Sequence, residues 1–150
     1  MEFIEIKDNK KRYLDLLLLA DEQESMIDKY LERGSMYALC DSEVKAVCVV
    51  TDEGEGVLEI KNIATSPKHQ HKGYGKKLIE YIEKIYCSSF DVLRVGTGDS
   101  PLTIPFYQKC GFSEKFRVKN FFTDNYDHPI FECGKQLVDM VYLEKLLKSE

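Results

Sequence analysis

The stretch Ile63-Ala64-Thr65-Ser66-Pro67-Lys68-His69-Gln70-His71-Lys72-Gly73-Tyr74-Gly75-Lys76-Lys77-Leu78 is where residue types and spacing point to chemistry. An apolar, strand-like segment ends at Pro67, a polar loop turns, and a helix-patterned segment begins at the second glycine. A helix start exposes backbone N–H groups that lack intrahelical acceptors, and the helix dipole adds positive potential there. Glycines at that point let the backbone approach a phosphate closely, and Lys72, Lys76 and Lys77 surround it with charge. The combination predicts a pyrophosphate cradle. Two common phosphate loops do not match. The Walker pattern requires Lys and then Ser or Thr after its last glycine, whereas Gly75 is followed by Lys76 and Lys77; the dinucleotide fingerprint requires a third glycine where Leu78 stands.

The pattern that does match is Gln70-x-x-Gly73-x-Gly75. It resembles the signature of the GNAT superfamily of acetyl-CoA-dependent N-acetyltransferases, and a second block, Phe106-Tyr107-Gln108-Lys109-Cys110-Gly111-Phe112, resembles that family's later motif. The resemblance runs from residue 35 to residue 112. It implies that Ile63, Ala64 and Thr65 offer backbone groups to the pantetheine arm of acetyl-CoA. It further implies that Gln70, His71, Lys72, Gly73, Tyr74, Gly75 and Lys76 hold the pyrophosphate. One departure stands out: the family often carries an Asn before the second block, and this chain has Thr97-Gly98-Asp99-Ser100-Pro101 instead, so Asp99 or Ser100 takes that place at the cofactor arm.

N-acetylation sets two proton problems. An alkylammonium with a pKa near 10.4 must lose its proton before attack, which costs about 4–5 kcal/mol at neutral pH. A base, or a water chain leading to one, must therefore line the acceptor side. By the resemblance Glu59 is the first candidate base, since the histone-acetylating branch carries a catalytic glutamate on the corresponding strand; the alternative is a solvent-facing strand residue. The departing thiolate needs a proton in return, and Tyr107 stands where the family has its general-acid tyrosine. A phenol near pKa 10 and a thiol near 8.5 are mismatched by only about 2 kcal/mol. Cys110 sits at a helix end, where the dipole opposes a thiolate, which argues against a covalent cysteine route. His69 and His71 read as exposed loop residues. In the aromatic and acidic tract at 121–128, Phe122, Asp124, Tyr126 and Asp127 suit a cationic acceptor through cation–π and charge contacts, with an ordinary surface loop as the alternative.

Positioning these residues requires a definite order of elements. A strand at 2–6 precedes a helix capped by Asn9 and running to Ala20, then a second helix over 22–31 that stops near Gly34. Strands at 35–40 and 44–51 form a hairpin about Asp41-Ser42, and the turn at 52–56 leads into a strand over 57–65. The helix at 76–86 buries Leu78, Ile79, Ile82 and Ile85 on one face. A strand at 92–95, a short helix at 104–110 stopped by Gly111, and a strand at 112–118 follow. A long loop over 119–136 then leads to a closing strand at 137–146. The order predicts one α+β domain over residues 1–150, a mostly antiparallel mixed sheet of about six to seven strands with helices on both faces.

Bulk composition narrows the partners. With 150 residues, 43% hydrophobic and 31% charged, the chain is long enough for one substantial core and too polar to be a membrane span. The net charge of −5 and the lack of a Lys/Arg block exclude a nucleic-acid partner and attract a cationic acceptor, a small amine or a peptide. Neither a secretory signal nor a membrane anchor is expected. Five cysteines without a C-x-x-C pair, and three histidines without metal-ligand spacing, point to a reducing, cytoplasmic setting with no structural metal. A two-fold homodimer is compatible with such a domain. From a different class, a non-catalytic acyl-CoA sensor on the same fold is the alternative to an enzyme.

Overall fold

Residues 46–50, Ala-Val-Cys-Val-Val, are apolar at every position and so demand burial on both faces of a sheet. The computed structural model, which describes residues 1–147, places them in β3 (Glu43–Gly54), where all five are at most 1% exposed. Around β3 the seven-stranded sheet runs β1 (Glu2–Ile6), β2 (Ser35–Asp41), β3, β4 (Val57–Thr65), β5 (Val92–Gly98), β9 (Met140–Leu146), β6 (Ser113–Val118). Every pairing is antiparallel except β4 with β5. That parallel step needs a crossover, which α3 (Tyr74–Tyr86) supplies.

The two faces separate by strand alternation. Tyr37, Leu39, Cys48, Leu58, Ile60, Leu93 and Val95 pack against α3 and α4 (Ile104–Lys109). Met36, Ala38, Val47, Val49 and Ala64 pack against Leu17 of α1 (Leu14–Ala20) and Ile27 of α2 (Glu24–Ile27). Leu78, Ile79 and Ile82 of α3 are fully buried, each contributing about 1.5–3 kcal/mol. Helices on both faces of a mostly antiparallel sheet is the architecture expected from the element order.

Several boundaries differ from expectation, each for a local reason. Asn9 does not cap a helix with its side chain. Its own backbone is left-handed (φ 48°), whereas capping uses extended geometry, and the chain enters α1 through a 3₁₀ turn over Lys10–Tyr13. The helix expected over 22–31 is a single α turn continued by tighter i to i+3 bonds, Lys29 N to Met26 O and Tyr30 N to Ile27 O. Buried Lys10 fixes its end by donating to Leu31 O (2.9 Å) and Gly34 O (2.7 Å). On α3 the buried face turns away from Ile85, which is 38% exposed, toward Tyr86, whose hydroxyl meets Tyr37 at 2.6 Å. The stretch over 119–136 is not a structureless loop. It holds α5 (Phe121–Asn125) and a hairpin of β7 (Phe131–Glu132) with β8 (Lys135–Gln136). The hairpin turns on Cys133 and Gly134, both with positive φ as a primed turn requires.

Candidate functional site

β4 and β5 pair only from Val57↔Val92 to Ile60↔Val95. Beyond that point β4 continues along β3 to Thr65, while β5 continues along β9 to Gly98↔Met140. The two strands therefore fork, and the facing backbone edges of residues 61–65 and 96–98 are left without each other. A cavity of about 300 Å³ opens in this fork. Ile63, Ala64, Thr65 and Gln70 line it from β4 and the loop after it, Gly96, Thr97 and Gly98 from β5, and Tyr107 from α4. An extended chain laid between the strands would meet unpaired amides and carbonyls, as an added strand does.

At one end of the fork, α3 begins at Gly73, whose φ of +84° lies in the left-handed region and whose Cβ position faces open space. Among the described residues no side chain caps this helix, and its first turn carries no acid. Its leading amides are thus available, with exposed Lys72, Lys76 and Lys77 beside them. Gly75 is small for a different reason: a Cβ there would stand 3.3 Å from Phe106 Cζ, so glycine lets the start of α3 pack on α4. Gln70 Nε2 donates to Thr65 O (3.3 Å), holding the loop against the strand end. Exposed His71 is itself left-handed at φ 64°. Half-buried Tyr74 stands edge-on to His69. His69 is not the exposed residue expected: it is packed between Glu43 (3.1 Å) and Lys45 (3.2 Å). These features fit a pyrophosphate whose linker enters the fork.

Tyr107 is 7% exposed and packs edge-on against Phe106 and Phe112, with ring centroids 5.2 and 5.8 Å away. Burial, with nearby Cys48, Cys110 and Glu132, pushes its phenol well above the usual tyrosine value, so it stays protonated. Burial likewise pushes up the thiols of Cys48 and Cys110, which leaves neither as a ready thiolate.

Glu59 does not line the cavity, and it is not a solvent-facing residue either. It is 4% exposed and paired with Lys61 Nζ (3.0 Å) and Arg94 Nη1 (3.6 Å). Cross-strand register explains this, because Glu59, Arg94 and Glu144 stand side by side on β4, β5 and β9 in alternating sign. The charge is consumed in that row. We therefore expect Glu59→Gln to lower stability by about 1–2 kcal/mol through the buried pairing it breaks, while the pH profile of kcat/KM keeps its shape. A lost limb in that profile, at unchanged Tm, would return Glu59 to the mechanism.

Ser100 is also off the cavity: it is 2% exposed and its Oγ accepts from Leu102 N (3.2 Å), shaping the turn into α4. Asp99 is engaged with Arg117 (3.1 Å). Thr97 and Gly98 are the residues of this stretch that line the cavity, and Thr97 donates to Thr103 Oγ1 at 2.7 Å. In the 119–136 segment, Phe122 and Tyr126 line the cavity, but Asp124 and Asp127 are exposed and do not; Asp127 pairs with His128 instead. The carboxylates on the cavity are Asp21, Glu22 and Glu132, with Asn62 beside them. Sequence reasoning missed all four: Asp21 is tied to the site by Tyr126, 105 positions on, while Asn62 directly precedes the expected site residue Ile63 and carries no signal of its own.

Residues 32–114 match the acetyltransferase (GNAT) domain family. The Bacillus subtilis (strain 168) N-acetyltransferase YvbK is 42% identical over 132 residues, 86% of this chain and 85% of that protein. Among solved structures, a GNAT family acetyltransferase from Elizabethkingia anophelis with acetyl-CoA bound superposes with a TM-score of 0.91. It is 34% identical, and the match covers 97% of each chain. A Bacillus subtilis acetyltransferase in complex with CoA gives a TM-score of 0.88 at 38% identity, covering 97% of this chain and 98% of that one. Strand fork, glycine-led helix and buried tyrosine thus occur in a chain whose sequence and fold both match acetyltransferases: it belongs to the GNAT family.

Proposed function

We propose that this acetyltransferase moves the acetyl group of acetyl-CoA directly to the primary amine of a small molecule or peptide. The observation that carries the proposal is the fork between β4 and β5, a cavity lined by Thr65 and Gln70 on the side that leads to the uncapped start of α3 and by Tyr107 of α4. Bound acetyl-CoA supplies an activated thioester carbonyl. The amides of α3, with Lys72, Lys76 and Lys77, bind the pyrophosphate. The free edges of residues 61–65 and 96–98 hold the pantetheine arm extended. Tyr107, kept neutral by burial, donates its proton to the departing sulfur.

Glu132 takes the place first given to Glu59. It lines the cavity, its charge is felt at Tyr107, and it accepts the ammonium's proton directly or through water. Direct transfer also agrees with the protonated thiols, which offer no acyl carrier.

The test is release of free CoA thiol from acetyl-CoA with a panel of primary amines. At least one amine should raise thiol release well above the rate of hydrolysis without amine. Tight acetyl-CoA binding with no release from any amine would favour a sensor of acyl-CoA on the same fold.

A further inference from the structure

Asn62 of β4 lines the cavity and is 3% exposed. Its Nδ2 donates to Leu17 O (3.0 Å) and to the Tyr30 hydroxyl (3.1 Å), which fixes the amide's orientation. Its Oδ1 is buried and has no partner among the described residues. The Tyr30 hydroxyl in turn donates to Asp21 Oδ2 (3.0 Å), and the Tyr126 hydroxyl donates to Asp21 Oδ1 (2.6 Å). The chain of donors therefore runs from the sheet, through the turn after α2, and ends on Asp21; a second donor reaches Asp21 from the segment over 119–136.

Both tyrosines are neutral, so Asp21 is hydrogen-bonded without being neutralised. Burial raises its pKa, the like charge of Glu22 adds to that, and no Lys, Arg or His pairs with it among the described residues. A partly buried carboxylate normally sits beside a Lys or Arg. Here Asp21, with the Gln23 backbone N–H as a third donor but no cationic partner among the described residues, and Asn62 with its orphaned oxygen line one cavity. The same cavity has an apolar portion, formed by Leu19, Ile130 and Leu137 with the stacked rings of Phe122 and Tyr126 (5.5 Å).

We infer that Asp21, together with Asn62 Oδ1, binds the positive charge of the acceptor, and that the acceptor is a compact alkyl- or arylalkylammonium whose remainder is apolar. Only the word acceptor rests on the transfer reading above; the cation site itself stands on the geometry. Asp21 is thus a specificity-determining residue. Tyr30 and Tyr126 position it, and the Asp21–Tyr126 bond ties the 119–136 segment over the same wall.

The test compares 2-phenylethylammonium with its neutral counterpart 2-phenylethanol as ligands of the CoA-loaded enzyme, by calorimetry. The ammonium should bind about tenfold more tightly, and Asp21→Asn should reduce that preference to about twofold or less with CoA affinity unchanged. Asp21→Asn keeps one of the two oxygens that accept from tyrosine; with that oxygen toward Tyr30, its amide N–H can donate to the Tyr126 hydroxyl, and an unpaired charge is removed, so Tm should change little. Equal binding of the two probes by the wild type, a preference that survives Asp21→Asn, or a marked loss of Tm would each overturn the inference. Thiol release reports on transfer separately. Acetylation with no Asp21-dependent preference removes this inference alone, while an Asp21-dependent preference without any thiol release removes the transfer reading alone.

Discussion

Replacing Tyr107 by Phe is expected to lower kcat by about 10²- to 10³-fold while the affinity for acetyl-CoA changes little. The effect follows from the two environments of the side chain. Its ring is packed by Phe106 and Phe112, contacts that phenylalanine keeps. The side chain lines the cavity, and burial keeps its hydroxyl, the one group the substitution removes, protonated. A raised phenol pKa also makes full proton transfer to sulfur more uphill than the 2 kcal/mol expected from free groups. Donation must therefore develop along with C–S cleavage, when the sulfur carries most charge. Two measurements check this: single-turnover transfer, which should slow by the stated factor, and Tm, which should stay close to wild type. Unchanged turnover would remove Tyr107 from the chemistry, and a large loss of Tm would make it a core residue only.

Those parts of the site that were legible in the sequence are the ones built from neighbours along the chain. The strand-to-helix junction at 65–75 is announced by a strand's end, a polar loop, two glycines and a 3.6-residue apolar period, all within one window. The hairpin about Asp41-Ser42 and the turn expected at 52–56 are local as well, although β3 runs on to Gly54. What was not legible comes from register and long-range packing. Glu59 looked available because alternation places it opposite Leu58 and Ile60; only the lateral pairing with Arg94, 35 positions on, reveals that its charge is spent. Asp21 looked like a linker residue until Tyr126 arrived from 105 positions away. Of the four residues named in the 119–136 tract, Phe122 and Tyr126 line the cavity, whereas Asp124, on the single turn of α5, and Asp127 after it are exposed. Composition carries no information about which side of a single helical turn faces a cavity.

Gly73 is the position at which one substitution should separate donor binding from the rest of the fold. Its φ of +84° is one that a β-branched residue adopts only with strain. A Cβ there meets nothing within 4 Å, so no steric clash accompanies the change. Gly73→Val should therefore act through the backbone alone: the loop relaxes toward negative φ, the first amides of α3 rotate away from a common focus, and the pyrophosphate loses donors. We expect the Kd for CoA to rise about 10- to 100-fold, consistent with losing one or two charge-assisted hydrogen bonds. Gly73→Asn, which tolerates the left-handed region, should stay within about threefold of wild type. Removing positive charge instead, with Lys76→Ala, should weaken CoA at low salt and matter less as salt rises, because an exposed lysine is screened and a backbone amide is not. If Gly73→Val binds CoA as the wild type does, the helix start is not what holds the diphosphate, and the lysines around it would have to account for the whole of the donor's affinity.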